Sequence, residues 1–182
     1  MKQNRTRAAI ADAYTHLLHE HTIEKITVKM ITDEVGCSRK TFYYYFTDVY
    51  DLTRYVCDQR VQAFMNISGG VDSVRNAFLA LVAFLNEDRP VILNMFHGYG
   101  KEELERVTWQ ATEHYTRKFI THHAEGSGIS EENLEAVIHM YAYMLFGMLV
   151  DWVSHNMDSS YEHTLDVALN SMPYIFEKLR ER

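Results

Sequence analysis

Residues 27–46 read TVKMITDEVGCSRKTFYYYF, and the organisation of the chain follows from how they divide. Val28, Ile31 and Val35 share one face of a short amphipathic helix over 28–35. Thr27 precedes it, where a side-chain oxygen can accept a free backbone N–H. Gly36 supplies the backbone angle that a helix end and tight turn require. Ser38 restarts the chain as a second N-cap, and Arg39 to Tyr45 form a second short helix. Two short helices about a turn of roughly four residues make the helix-turn-helix layout.

In that layout the second helix enters the DNA major groove with its N-terminal residues toward the bases. Helix–Gly–helix corners also occur in domains that never touch DNA, so the side chains have to decide. Phe42 and Phe46 are four apart and face inward together. Arg39, Lys40, Thr41, Tyr43 and Tyr44 then point elsewhere, as two cations, a hydroxyl and two phenols. Hydroxyls and phenols donate to phosphate oxygens, and Lys or Arg reaches guanine edges or phosphates. The expected DNA-contacting set is Thr27, Lys29, Ser38, Arg39, Lys40, Thr41, Tyr43, Tyr44 and Tyr45.

Composition sets the frame around this motif. The 182 residues are 47% apolar, enough for a sizeable core, with only two prolines and eight glycines. β-Branched runs are scarce, which favours an all-helical protein. Cys37 and Cys57 match no disulfide or zinc spacing and suit a reducing, cytoplasmic setting. The first residues, MKQNRTRAAIADAY, lack the apolar segment of a signal peptide. Residues 136–153, AVIHMYAYMLFGMLVDWV, have the length of a short membrane span. His139 and Asp151 inside it are costly in lipid, and the reading is a core or interface helix. The net charge of -7 is uneven. Residues 1–47 hold seven Lys/Arg against five Asp/Glu, a balance of +2, which leaves −9 on the rest. A mildly basic module on an acidic body suits a protein that meets DNA at one end.

Taken in order, residues 5–20 form a first helix with Ile10, Ala13, Tyr14, Leu17 and Leu18 on one stripe. Lys2, Arg5 and Arg7 either reach a phosphate backbone or form an ordinary solvated terminus. Asp48 caps a fourth helix to about 66, ended by NISGG. A fifth spans 71–87, a sixth runs from Pro90 to near Gly98, and a seventh from Lys101 to about Ala124. Ser130 caps a long eighth to about 156; after NMDSS a ninth runs from 161 to about 179.

The stretch TVKMITDEVGCSRKTFYYYFTDVYDL resembles the N-terminal signature of TetR/AcrR-family transcriptional regulators. Thr27, Ile31, Gly36, Ser38, Thr41, Phe42, Tyr43, Phe46 and Leu52 carry the match, over about residues 5–55. The resemblance implies an all-α fold of about nine helices: a three-helix head at 1–47 and a C-terminal helical bundle at 48–182. It also implies a homodimer whose two heads bind a palindromic operator in double-stranded DNA, released by a small-molecule inducer. One position departs from the pattern. Val49 stands where the family usually has a lysine that contacts phosphate, so either affinity for DNA backbone falls, the phosphate contacts differ, or DNA binding is lost.

Within that frame, Met140, Tyr143, Gly147, Met148, Asp151 and Trp152 fit the family's dimer helix, which pairs with the ninth in a four-helix bundle. The run YMLFGMLVDWV also resembles the DhaS-like subgroup, which keeps transcriptional activation partly through protein contact open as the alternative to repression. An inducer pocket would lie among the fifth to eighth helices, with Phe84, Met95, Phe96, Tyr99, Trp109, Tyr115, Tyr141 and Met144 as candidates for an apolar or aromatic ligand. Aromatics and methionines at helical spacing are equally the material of a plain core. Of the ten histidines, His122 and His123 cannot easily both face one ion, whereas His16 and His19, three apart, could; there is no nucleophile elbow or phosphate loop. No metal, cofactor, membrane partner or enzymatic activity is expected.

Overall fold

The computed structural model describes residues 2–67, 73–98, 100–158 and 160–180. These residues are all-α, in nine helices. They are α1 (Lys2–Leu18), α2 (Val28–Val35), α3 (Arg39–Tyr45), α4 (Val49–Ile67), α5 (Val74–Glu87), α6 (Arg89–Phe96), α7 (Lys101–Ala124), α8 (Glu131–Ser154) and α9 (Glu162–Arg180), with a 3-10 turn at Ile23–Lys25. The helix order and most boundaries follow the sequence reading. The first helix begins at Lys2 and ends at Leu18 rather than spanning 5–20. Most of the linker expected at 66–70 lies outside the described residues.

The chain divides into two compact units. The first comprises Met1–Ala63 with Asn86–Val107, the second Phe64–Leu85 with Thr108–Arg182. The first unit is therefore larger than the head at 1–47, for a local reason. Asn94 Nδ2 on α6 donates to the Leu18 carbonyl at the open end of α1 at 2.8 Å, filling one of the acceptors a helix end leaves over. Asp88, just before α6, takes Arg60 of α4 as an ion pair and lies 3.4 Å from the His19 ring. Gly100 packs so closely on Ile23 that a Cβ there would collide with its side chain.

Ile10, Tyr14, Leu18, Ile23, Ile31, Phe42, Phe46 and Leu52 form the buried interior of this unit. Tyr14 inserts its hydroxyl 2.6 Å from Thr53 Oγ1. Thr53 donates its own proton to the Val49 carbonyl at 2.8 Å, so Tyr14 is the donor of the pair. Burial pushes the Tyr14 phenol well above its ordinary range, and the neighbouring Cys57 thiol up to about 12. Both are neutral packing groups at physiological pH.

In the second unit, α7, α8 and α9 share a core of Ile120, Ala124, Val137, Ile138, Tyr141 and Phe176. Tyr141 ties α8 to α9 by donating to the Ala168 carbonyl at 3.2 Å, beside Ser171 Oγ. Arg117 on α7 makes a two-pronged ion pair with Glu135 on α8 at 2.6 and 3.0 Å. Helix α8 is long and apolar enough to cross a membrane by composition. Its residues Val137, Ile138, Tyr141, Ala142, Leu145, Leu149, Trp152 and Val153 are instead buried within the protein. The chain turns out of α8 through Asn156 and Met157, both left-handed, with φ of 55° and 60°.

Candidate nucleic-acid interface and effector cavity

The corner between α2 and α3 is fixed by three local devices. Thr27 accepts the Met30 N–H at 3.2 Å. Gly36 adopts φ 72°, ψ 35°, and its N–H returns to the Thr32 carbonyl. Ser38 accepts the Thr41 N–H at 3.1 Å and lies 2.9 Å from the Thr41 hydroxyl. Ser38 and Thr41 thus spend at least part of their hydrogen-bonding capacity on holding the start of α3.

Phe42 and Phe46 are buried, with ring centroids 5.9 Å apart. At about 100° per residue, Arg39, Lys40, Tyr43 and Tyr44 then fall in one arc of roughly 140°, and all four are exposed. Tyr43 is 57% and Tyr44 68% exposed, unusual for rings beside an intact core. Arg39 and Lys40 make no ion pair among the described residues. Lys29 is different, since its ammonium pairs with Asp33 at 2.9 Å on the same helix. Thr41 and Tyr45 are half-buried, with Tyr45 edge-on to Tyr44 at 4.9 Å.

Two features at the rim were missed or left open by sequence reasoning. Arg7 does not extend as a free cation: its guanidinium stacks on the Tyr55 and Phe46 rings. At the start of α4, Asp48 Oδ1 accepts the Asp51 N–H at 2.8 Å, and Asp51 reaches back to the Thr47 N–H at 3.0 Å. This cap occupies the Asp51 N–H, one of the donors that a helix N-terminus would otherwise offer to phosphate. Val49 beside it is half-buried.

The second unit contains a cavity lined by Val74, Ala77, Phe78 and Leu81 of α5, Ala111, Thr112, Tyr115 and Thr116 of α7, and Leu145 of α8. It encloses about 20 Å³, within about 250 Å³ of non-atom space that includes its opening to solvent. Of the expected pocket residues, Tyr115 lines it. Phe84 touches Phe64, which in turn meets Tyr115. Trp109 stacks on the exposed Tyr143 ring at 4.6 Å, and Tyr141 and Met144 belong to the α8–α9 core. Met95 is buried within the first unit, Phe96 lies there under the Lys101 ammonium, and Tyr99 is outside the described residues. Sequence reasoning looked for large rings and methionines, whereas small residues and threonines leave the gap. The signal available was the i, i+4 pairing of Ala111 with Tyr115 and Thr112 with Thr116 on α7.

On α8, Met140, Tyr143, Gly147 and Asp151 form one exposed stripe, and Met148 is half-buried beside it. Trp152 turns inward, 4% exposed, against Tyr161. Val167 and Tyr174 on α9 are likewise exposed, at 58% and 62%.

Residues 72–173 match the sequence profile of a TetR-type transcriptional-regulator C-terminal region, more than half of the chain. The chain belongs to the TetR family of transcriptional regulators. Solved structures agree on the fold. The fatty acid degradation regulator FadR from Bacillus halodurans superposes with a TM-score of 0.61 at 15% identity, covering 95% of this chain and 93% of its own. NalD, the secondary repressor of the MexAB-OprM multidrug efflux pump in Pseudomonas aeruginosa, gives 0.54 at 15%, covering 97% and 96%. The dihydroxyacetone kinase operon activator DhaS gives 0.53 at 20%, covering 84% and 92%. No curated protein sequence matches significantly. The TetR-family assignment makes this chain a DNA-binding transcriptional regulator.

Proposed function

We propose that this TetR-family protein is a cytoplasmic repressor that binds a palindromic operator as a homodimer and leaves it when a small molecule binds the second unit. Residues 1–47 act as the reading head and 48–182 as the effector-binding and dimerising body. The observation that carries this reading is the exposed arc of Arg39, Lys40, Tyr43 and Tyr44 on a helix whose opposite face is buried. Two cations that make no ion pair among the described residues, and two phenols, on a capped helix offer both base-edge and phosphate contacts. The exposed stripe of α8 and the exposed Val167 and Tyr174 of α9 supply apolar surface for a second copy. Nothing in the reading requires a metal, a cofactor or a catalysed reaction.

Activation through protein contact is the competing reading, and Val49 with the self-capped start of α4 is what favours it. A mobility shift with the DNA flanking the protein's own gene, titrated with salt and non-specific competitor, separates the two. Sequence-selective binding at moderate salt supports the repressor; binding that never exceeds the non-specific level sinks it. A reporter fused to the bound promoter then gives the sign of regulation.

A further inference from the structure

The cavity of the second unit has one chemical peculiarity. Thr116 is 1% exposed, lines the cavity, and its Oγ1 has no hydrogen-bond partner among the described residues. A buried hydroxyl left unpaired costs free energy, and a helical threonine ordinarily returns its proton to a carbonyl one turn back. Thr112, one turn earlier, does this, donating to the Thr108 carbonyl at 2.8 Å. The Tyr115 hydroxyl points to the Met65 carbonyl at 3.4 Å. Thr116 is therefore the uncommitted donor in an otherwise apolar wall.

No charged side chain lines the cavity among the described residues. The ionic groups beside lining residues in sequence are already paired: Arg75 with Asp166 at 2.9 Å, Glu113 with Arg117 at 2.7 Å, and Arg117 also with Glu135. An ionised ligand here would lose its hydration with no countercharge to replace it. The enclosed space, about 20 Å³, holds one water-sized group. A larger molecule must displace side chains such as Phe78 and Leu145. Occupied and empty forms then differ in packing, which is the differential interaction an effector needs to shift a conformational equilibrium.

We propose that this cavity binds a neutral, largely apolar small molecule carrying one hydrogen-bonding oxygen, anchored by the Thr116 hydroxyl among Phe78, Ala111, Tyr115 and Leu145. The inference rests on the effector-binding role given to the second unit and names the chemical class of its ligand.

Four probes of one shape test it: benzyl alcohol, toluene, benzoate and benzylammonium, titrated calorimetrically into the full chain without DNA. Benzyl alcohol and toluene are expected to bind, and the two ions are not. Thr116→Val should weaken benzyl alcohol about 5-fold, the worth of one hydrogen bond, and leave toluene within about twofold. Thr116→Ser, which keeps the hydroxyl, should behave as wild type. Thr116→Val should melt no lower than wild type, because the lost hydroxyl has no partner. Binding of either ion, equal effects of Thr116→Val on alcohol and toluene, or binding of none of the four overturns the proposal. Failure of the regulator reading would appear separately, as absent operator binding alongside intact probe binding.

Discussion

The guanidinium carbon of Arg7 lies 4.0 Å from the Tyr55 ring centroid and 5.3 Å from that of Phe46, so one cation from α1 joins the end of α3 to α4. Its Nε is buried without a hydrogen-bond partner among the described residues, while its guanidinium is in contact with the two rings. Arg7→Ala should lower the stability of the full chain by about 1–2 kcal/mol in urea unfolding. Arg7→Lys should recover only part, since an ammonium cannot stack as a plane. An Arg7→Ala protein that unfolds with wild type but binds DNA less tightly would make Arg7 a phosphate ligand instead.

Lys40 and Tyr43 should respond differently on the α3 arc. With Tyr43 in its proposed role of holding phosphate, Tyr43→Phe should weaken binding to all sequences about equally. Lys40→Ala, if Lys40 reaches a base edge, should cost roughly 1–3 kcal/mol at particular operator positions and relax preference there. Binding measured across a library of single-base operator variants reads both effects. Unchanged profiles in both proteins would remove α3 from the role given to it.

The head was readable because its determinants are local. Thr27, Gly36 and Ser38 each act on backbone within a few residues, so residue type and spacing state the geometry directly. The boundaries of α7 were equally legible, set by the glycines on either side. Arg7 was not, because a cation near a helix start faces solvent or a ring according to what α4 brings beside it. The cavity was least legible. A gap depends on mismatched volumes from three helices, and Ala111 or Thr116 looks the same in sequence beside a void as beside a packed ring. Trp152 shows the same limit, since it shares the apolar run with Tyr143 yet points inward while Tyr143 is 64% exposed.

Charging the open stripes should test the dimer without touching either core. Met140 is 46% and Val167 58% exposed, so Met140→Glu and Val167→Glu leave the buried packing unchanged. Each should yield a folded monomer at micromolar concentration by sedimentation, with helical content preserved. Dimers persisting in both variants would move the interface elsewhere.

Glu103 gives the first unit an acid limit. Partial burial works against its charge, but hydrogen bonds from Arg106 at 2.7 Å and Arg54 at 3.0 Å outweigh that and hold its carboxyl below the usual range. Well above the unfolded value of about 4.3 the group is ionised in both folded and unfolded chains, and its contribution is complete. As pH falls further, the unfolded chain takes up the proton first, so the contribution is lost toward the lower folded value. Urea midpoints at pH 5.5 and 3.5 should therefore fall less in Glu103→Gln than in wild type. An identical fall in both would show that other carboxylates set the acid limit.

The self-contained cap at the start of α4 bears on how such a regulator would search a genome. Asp48 takes the Asp51 N–H, Asp51 takes the Thr47 N–H, and Val49 adds no cation. Sequence-independent attraction to DNA grows with the number of phosphates a protein neutralises. If fewer phosphates are neutralised at this helix end, a larger share of affinity has to come from the few side chains on α3. The millions of irrelevant sites on a chromosome then sequester fewer molecules, and occupancy of the true site depends less on copy number. Scarcity of grip would make a low-abundance protein sufficient.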